Sequence, residues 1–168
     1  AGQTSILDTG CVAIYGGSLL GNAYTAGSNV CNRTPPASKG PLPRAVISSS
    51  KSKGVVQQVV AELGDRGIID PEPMMVSGAG EKSLRVILRS ENEGLWFYPK
   101  AGTSLWDVAA SDAILRSIGG RLTDKNGNDI DYNKTRDEAQ NKNGIVACYD
   151  KNIHEACIRL YLDGSWDE

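Results

Sequence analysis

A chain of 168 residues with 40% apolar and 23% charged side chains is long enough to bury the core of one globular domain and is not a disordered sequence. Its net charge of −2 offers no basic footprint for a nucleic-acid polymer. No apolar run approaches the roughly 18 residues a membrane span requires, so membrane insertion is disfavoured as well.

The chain begins at Ala1 rather than Met, so an upstream segment is expected. Cys11, Cys31, Cys148 and Cys157 are scattered, without a C-x-x-C pair, and His154 is the only histidine. That spacing argues against a zinc site and against a disulfide framework, and it points to a reducing, cytoplasmic setting. The triplets Asn32-Arg33-Thr34 and Asn133-Lys134-Thr135 fit the glycosylation pattern but are read as chance occurrences.

In chain order, residues 11–30 are punctuated by glycine and predict a strand pair with a tight turn. Residues 32–43 (NRTPPASKGPLP) predict an exposed connector, and 44–49 (RAVISS) a buried strand. A helix follows, with Val55, Val56, Val59, Val60 and Leu63 at helical spacing, Ser50 or Ser52 as its cap and Gly64 as its stop. Residues 73–90 predict a strand, a Gly-rich turn and a helix that turns Leu84, Ile87 and Leu88 inward. GLWFYP (94–99) reads as an aromatic strand stopped by Pro99. SLWDVAASDAILRSIGG (104–120) is a helix closed by Gly119-Gly120. RLTDKNGNDIDY (121–132) carries a hairpin signature around Asn126-Gly127, GIVACY (144–149) a strand, and 150–162 a terminal helix. Short strands alternating with amphipathic helices predict an α/β fold, a layered sheet flanked by helices in a single domain over 1–168.

Two stretches carry possible chemistry. Asp107 stands three residues after Ser104, the spacing of a capping box, and an acid in the first turn also suits the helix dipole. The neighbouring Trp106 and Ala109-Ala110 suggest a packed helix end instead, so a ligand role for Asp107 stays open beside the cap. SGAGEKS (77–83) places glycines before a helix, where free amides and Lys82 could receive an anion. It matches neither a Walker loop nor G-x-G-x-x-G, so a plain strand-to-helix turn is the alternative. The nucleophile elbow G-x-S-x-G is absent, and His154, among polar residues, reads as a solvated surface histidine. The aromatic residues are not interleaved with a basic patch and read as core or edge packing.

Taken together, GAGEKSLRVI (78–87), LWDVAASDAILRSIGGRLTDKNGNDIDY (105–132) and NGIVA (143–147) resemble the C-terminal half of the inositol monophosphatase superfamily. The W-D-x-x-A signature is carried by Trp106, Asp107 and Ala109-Ala110, with Gly119-Gly120 after the helix. The resemblance implies the C-terminal lobe of a sugar-phosphatase-like αβαβα fold and a Mg²⁺-dependent, lithium-sensitive phosphomonoesterase. AVISSSKSK, the G-A-G-x-K-S-L string and AILRSIGG look most like inositol polyphosphate 1-phosphatases, whereas GGRLTDKNGNDIDYNK followed by NGIVA looks more like 3'(2'),5'-bisphosphate nucleotidases. Lys51 stands near where many nucleotidases carry a histidine, which tips the reading faintly to the inositol branch.

By the same resemblance Asp107 would be a metal ligand, and Gly78, Ala79, Gly80, Lys82 and Lys51 would meet a small phosphorylated substrate. Two or three Mg²⁺ ions would neutralise the phosphoryl group and activate water. The superfamily's first signature, D-P-[IL]-D-[GS]-T, is missing. DPEP (70–73) lacks its second aspartate and threonine, LDTG (7–10) is not the motif, and YGGSLLGN (15–22) already resembles the segment beyond it. The expectation is therefore a C-terminal lobe whose N-terminal, metal-binding partner lobe is not in this sequence. One carboxylate holds Mg²⁺ poorly, so the chain alone should hydrolyse nothing measurable. The rival expectation is a non-catalytic α/β binding module. A truncated lobe would also expose apolar surface and favour self-association.

Overall fold

The computed structural model describes residues 40–48, 54–89 and 91–166. The strand pair expected at 11–30, most of the connector, Lys51, Cys11, Cys31, the first glycosylation triplet and the expected caps Ser50 and Ser52 lie outside them. At the end of the connector, residues 40–42 are exposed while Pro43 is buried. The Asn92 side chain donates to the carbonyls of Pro41 and Leu42 and ties this end down.

The elements run β1 (Arg44–Ile47), α1 (Val55–Asp65), β2 (Asp70–Met75), α2 (Ala79–Leu88), β3 (Glu93–Tyr98), β4 (Thr103–Ser104), α3 (Leu105–Ser117), β5 (Arg121–Thr123), a short 3₁₀ turn (Arg136–Glu138), β6 (Gln140–Asn141), β7 (Ile145–Cys148) and α4 (Lys151–Asp163). Five strands form one sheet in the order β2-β1-β3-β7-β5, and β4 pairs with β6 apart from it. β1 is parallel to β2 and β3; β7 is antiparallel to β3 and β5. No described helix is long and apolar enough to cross a membrane.

All six positions of β3 are buried, as a central strand covered on both faces requires. Consecutive side chains point to opposite faces, and each face has its own helix pair. Phe97 meets Tyr161 of α4 edge to face, with ring centroids 5.4 Å apart, while Trp96 lies under Lys82 of α2. α1 packs with α4; α2 packs against β3 and β1 and beside α3, which packs on β5. The expected layered sheet flanked by helices is therefore present. Glu93 is fully buried in β3, where its carboxylate takes the Arg85 guanidinium at 3.0 Å and the Glu91 N–H at 2.7 Å. β2 tolerates Pro71 and Pro73 because it is an edge strand that pairs only with β1.

Several local expectations change. α1 is capped by Gly54 at φ 69° without a side-chain hydrogen bond, and it passes through Gly64 to Asp65. Gly64 serves packing instead of termination: a Cβ there would stand 2.8 Å from the Cα of Pro71. On α2 the inward face is Lys82, Ser83, Val86, Ile87 and Leu88, with Leu84 only half-buried.

The hairpin at 121–132 shrinks to one bridge between Thr123 and Asp129. Its turn is held by the Asp124 carboxylate, which accepts the Asn126 and Asn128 amides at 2.8 and 2.9 Å. Beyond it, Arg116 takes Asp129 at 3.0 Å and Tyr132 donates to Asp112 at 3.0 Å, so the chain is drawn across α3 rather than along β5.

His154 is the largest correction. It is buried at 0% exposure, with Nε2 3.0 Å from Thr123 Oγ1. Nε2 and that hydroxyl share a hydrogen bond whose direction follows the imidazole tautomer, and Thr123 Oγ1 also lies 2.9 Å from the Asp124 carbonyl. Burial holds the imidazole neutral, with a pKa lowered to about 4.

Candidate functional site

The parallel strands β1 and β3 end on the same side of the sheet, the place where open α/β folds build their sites. There the starts of α2 and α3 meet over the strand ends and leave an open cleft of ≈ 300 Å³. Gly78, Ala79, Lys82 and Asp107 all line it, together with Ser48 and Trp96. Residues 29 positions apart in sequence, Gly78 and Asp107, are thus brought to one cavity.

α2 starts at Gly78, whose φ of 82° and ψ of 140° suit a residue without a Cβ. A glycine cap offers no side-chain acceptor to the first amides of α2, and these amides face the end of the helix that borders the cleft. α3 starts at Ser104 in the extended conformation, with a capping box closed by Asp107. The Asp107 carboxylate accepts the Ser104 backbone N–H through Oδ2 at 2.7 Å, and the residue stays exposed at the cleft. Cap and cleft-lining acid are one residue: one oxygen fixes the side chain while the group borders the cavity. Two helix dipoles end here, favouring negative charge in the space between them.

Lys82 supplies the cation. It is 6% exposed, and its Nζ lies 5.5 Å from the Trp96 ring centroid. Gly80 is exposed and stands apart from the residues that line the cleft, and Lys51 lies outside the described residues. The start of α3 packs through Leu105 and Val108, but, contrary to expectation, Trp106 is 64% exposed and Ala110 is exposed as well.

The sequence reading missed Ser48, Trp96, Tyr98 and Thr103 as cleft residues. The alternation of β3 held the signal for two of them. Trp96 and Tyr98 share one face and Leu95 and Phe97 the other, so the strand before the W-D helix offers every second aromatic to the cleft.

Among the described residues no three His, Cys, Asp or Glu side chains gather as a metal site. Asp124 is spent on the Asn126 and Asn128 amides and on the Asn128 side chain at 3.2 Å. Asp107 is therefore a lone carboxylate at the cleft, and by itself it does not meet the oxygen-rich demand of Mg²⁺.

Comparison with known proteins extends this picture. Residues 11–161 match the inositol monophosphatase family. The chain is 44% identical over 80 residues to 3'(2'),5'-bisphosphate nucleotidase 1 of Dictyostelium discoideum, covering 46% of this chain and 25% of that protein. It is 31% identical over 168 residues to the Golgi-resident adenosine 3',5'-bisphosphate 3'-phosphatase of Bos taurus, covering 91% of this chain and 44% of that protein. The calcium-bound IMPase-family protein from Staphylococcus aureus shares the fold at a TM-score of 0.54 and 21% identity, over 80% of this chain and 46% of that structure. The match thus covers less than half of each of these relatives. With its signature helix, its Gly-rich turn and a match that runs over nearly its whole length, the chain belongs to the inositol monophosphatase family.

Proposed function

We propose that the cleft is the C-terminal part of a phosphomonoesterase site that hydrolyses a 3'(2'),5'-bisphosphate nucleotide. The carrying observation is that the α2 amides at Gly78–Ala79, the Lys82 ammonium and the Asp107 carboxylate border one open cavity. The first two attract a phosphate dianion. A carboxylate facing that dianion is unfavourable unless a cation stands between them, and this supports Asp107 as one ligand of Mg²⁺. Mg²⁺, when bound, supplies charge neutralisation and an activated water. The remaining carboxylates would come from an N-terminal lobe outside this sequence, so the chain alone is expected to be inactive. Within the chain, the Gly78–Ala79 amides orient the substrate, Lys82 neutralises charge, and the Ser104 N–H holds Asp107 in place.

The nucleotide substrate is supported by the names of the two curated relatives, and the family supports lithium sensitivity. An inositol polyphosphate is the second reading, favoured by the G-A-G-x-K-S-L string at residues 78–84. The openness of the cleft at Gly78 and Asp107 speaks for a site awaiting a second lobe over a self-contained binding module. Cys148 and Cys157 are buried free thiols, in keeping with a reducing, cytoplasmic setting.

The test is phosphate release by the full-length gene product from a 3',5'-bisphosphonucleotide and from inositol 1,4-bisphosphate, with Mg²⁺ and with or without lithium. Preferred, lithium-inhibited release from the nucleotide is expected. Release from the inositol substrate alone would move the assignment to the second reading, and release from neither would support the binding module.

A further inference from the structure

Lys82 stands on the inward face of α2 beside Ser83, Val86 and Ile87, yet it borders the cleft. An ammonium so buried needs compensation, because loss of water disfavours the charged form. β3 supplies part of it. Trp96 is the centre of a cross-sheet row, paired with Val46 of β1 on one side and Ala147 of β7 on the other. Both neighbours are small, so the indole is the dominant surface offered to α2 at this level. Its centroid lies 5.5 Å from Lys82 Nζ, within the reach of about 6 Å at which a ring face attracts a cation. Tryptophan has the strongest such face of the aromatic residues.

We propose that Trp96 is a positioning residue of the anion site: its indole face holds the Lys82 ammonium at the cleft wall beside the Gly78–Ala79 turn. The inference rests on the reading of the cleft as a phosphate site. Trp96 lines the cleft but is 1% exposed, so its role runs through Lys82. A tryptophan that merely fills the core would leave anion affinity indifferent to the electron density of its ring.

The test uses the 168-residue chain with ¹³C-dimethylated lysines, the Lys82 resonance being assigned with Lys82→Arg, and inorganic phosphate as the titrant. In the wild type the Lys82 methyl signal should show an upfield ring-current shift. Trp96→Leu should abolish that shift and weaken phosphate binding about 3- to 30-fold, with Trp96→Phe in between. Should Trp96→Leu fail to fold, fluorotryptophan incorporation in a Trp106→Phe, Trp166→Phe background keeps the indole shape and drains its face. Phosphate affinity should then fall about threefold. Unchanged affinity in either folded protein overturns the proposal, as does an unshifted Lys82 signal in the wild type. A wild type that binds no phosphate refutes the phosphate reading itself. In that event, a Lys82 shift lost in Trp96→Leu and kept in Trp96→Phe still supports the clamp.

Discussion

Acidification should destabilise this domain through His154. The imidazole is fully buried, hydrogen-bonded to Thr123, and has a pKa lowered from 6.5 to about 4. The unfolded chain therefore binds a proton between those values that the folded chain refuses, and stability falls as pH drops through this window. Below about pH 4 both states are protonated and the loss levels off. Linkage with these two pKa values gives a cost of about 2 kcal/mol at pH 5 and about 3 kcal/mol at pH 4, relative to pH 8. The carboxylates titrate nearby, so the contribution is isolated by difference. Urea unfolding of the wild type and of His154→Gln, followed from pH 8 to pH 4, should show the wild type losing that much more than the variant. Parallel pH profiles for the two proteins would refute the buried, neutral histidine.

Three other outcomes follow from single contacts. Glu93→Ala leaves the Arg85 guanidinium without its fully buried partner and should cost about 3–5 kcal/mol in chemical denaturation. A loss below about 1 kcal/mol would show that the pair is solvated in solution. Gly120→Val would set a Cβ 2.7 Å from Leu115 Cδ1 and 2.9 Å from the Cys148 carbonyl, lowering stability by about 1–3 kcal/mol; an unchanged melting temperature would contradict this close approach. Asp107→Ala removes the carboxylate from an exposed capping box and should cost only about 1 kcal/mol, measured by thermal melting of the isolated chain. A much larger loss would mean that Asp107 is chiefly structural.

Much of the fold was legible wherever the signal was local. GLWFYP reads as an aromatic strand stopped by Pro99, and β3 ends at Tyr98, just before that proline. The valine periodicity of α1 named its buried face, and the S-x-x-D spacing named the capping box at Ser104 and Asp107. What failed depended on distant partners. β5 pairs with β7, more than 20 residues onward, so the Asn-Gly turn does not govern its pairing. His154 is buried and meets Thr123 from 31 residues away, and no neighbour in sequence announces that contact. Gly64 reads as a helix stop until Pro71 folds back against it. At the site, the W-D helix and the Gly-rich turn were each ambiguous on local physics. Their resemblance to one family linked them, and the cleft places Asp107 with Gly78, Ala79 and Lys82. Gly80 shares that motif but faces solvent, because the turn directs only part of its backbone inward.

The small structural cost expected at Asp107 makes it the sharpest probe of function. The central measurement is Mg²⁺-dependent phosphate release by the full-length protein and its Asp107→Asn variant, each checked for cooperative unfolding. A folded variant with activity reduced at least about 100-fold is the predicted result, since a lost metal ligand removes several kcal/mol of charge stabilisation. A folded Asp107→Asn protein that releases phosphate at the wild-type rate would contradict the account.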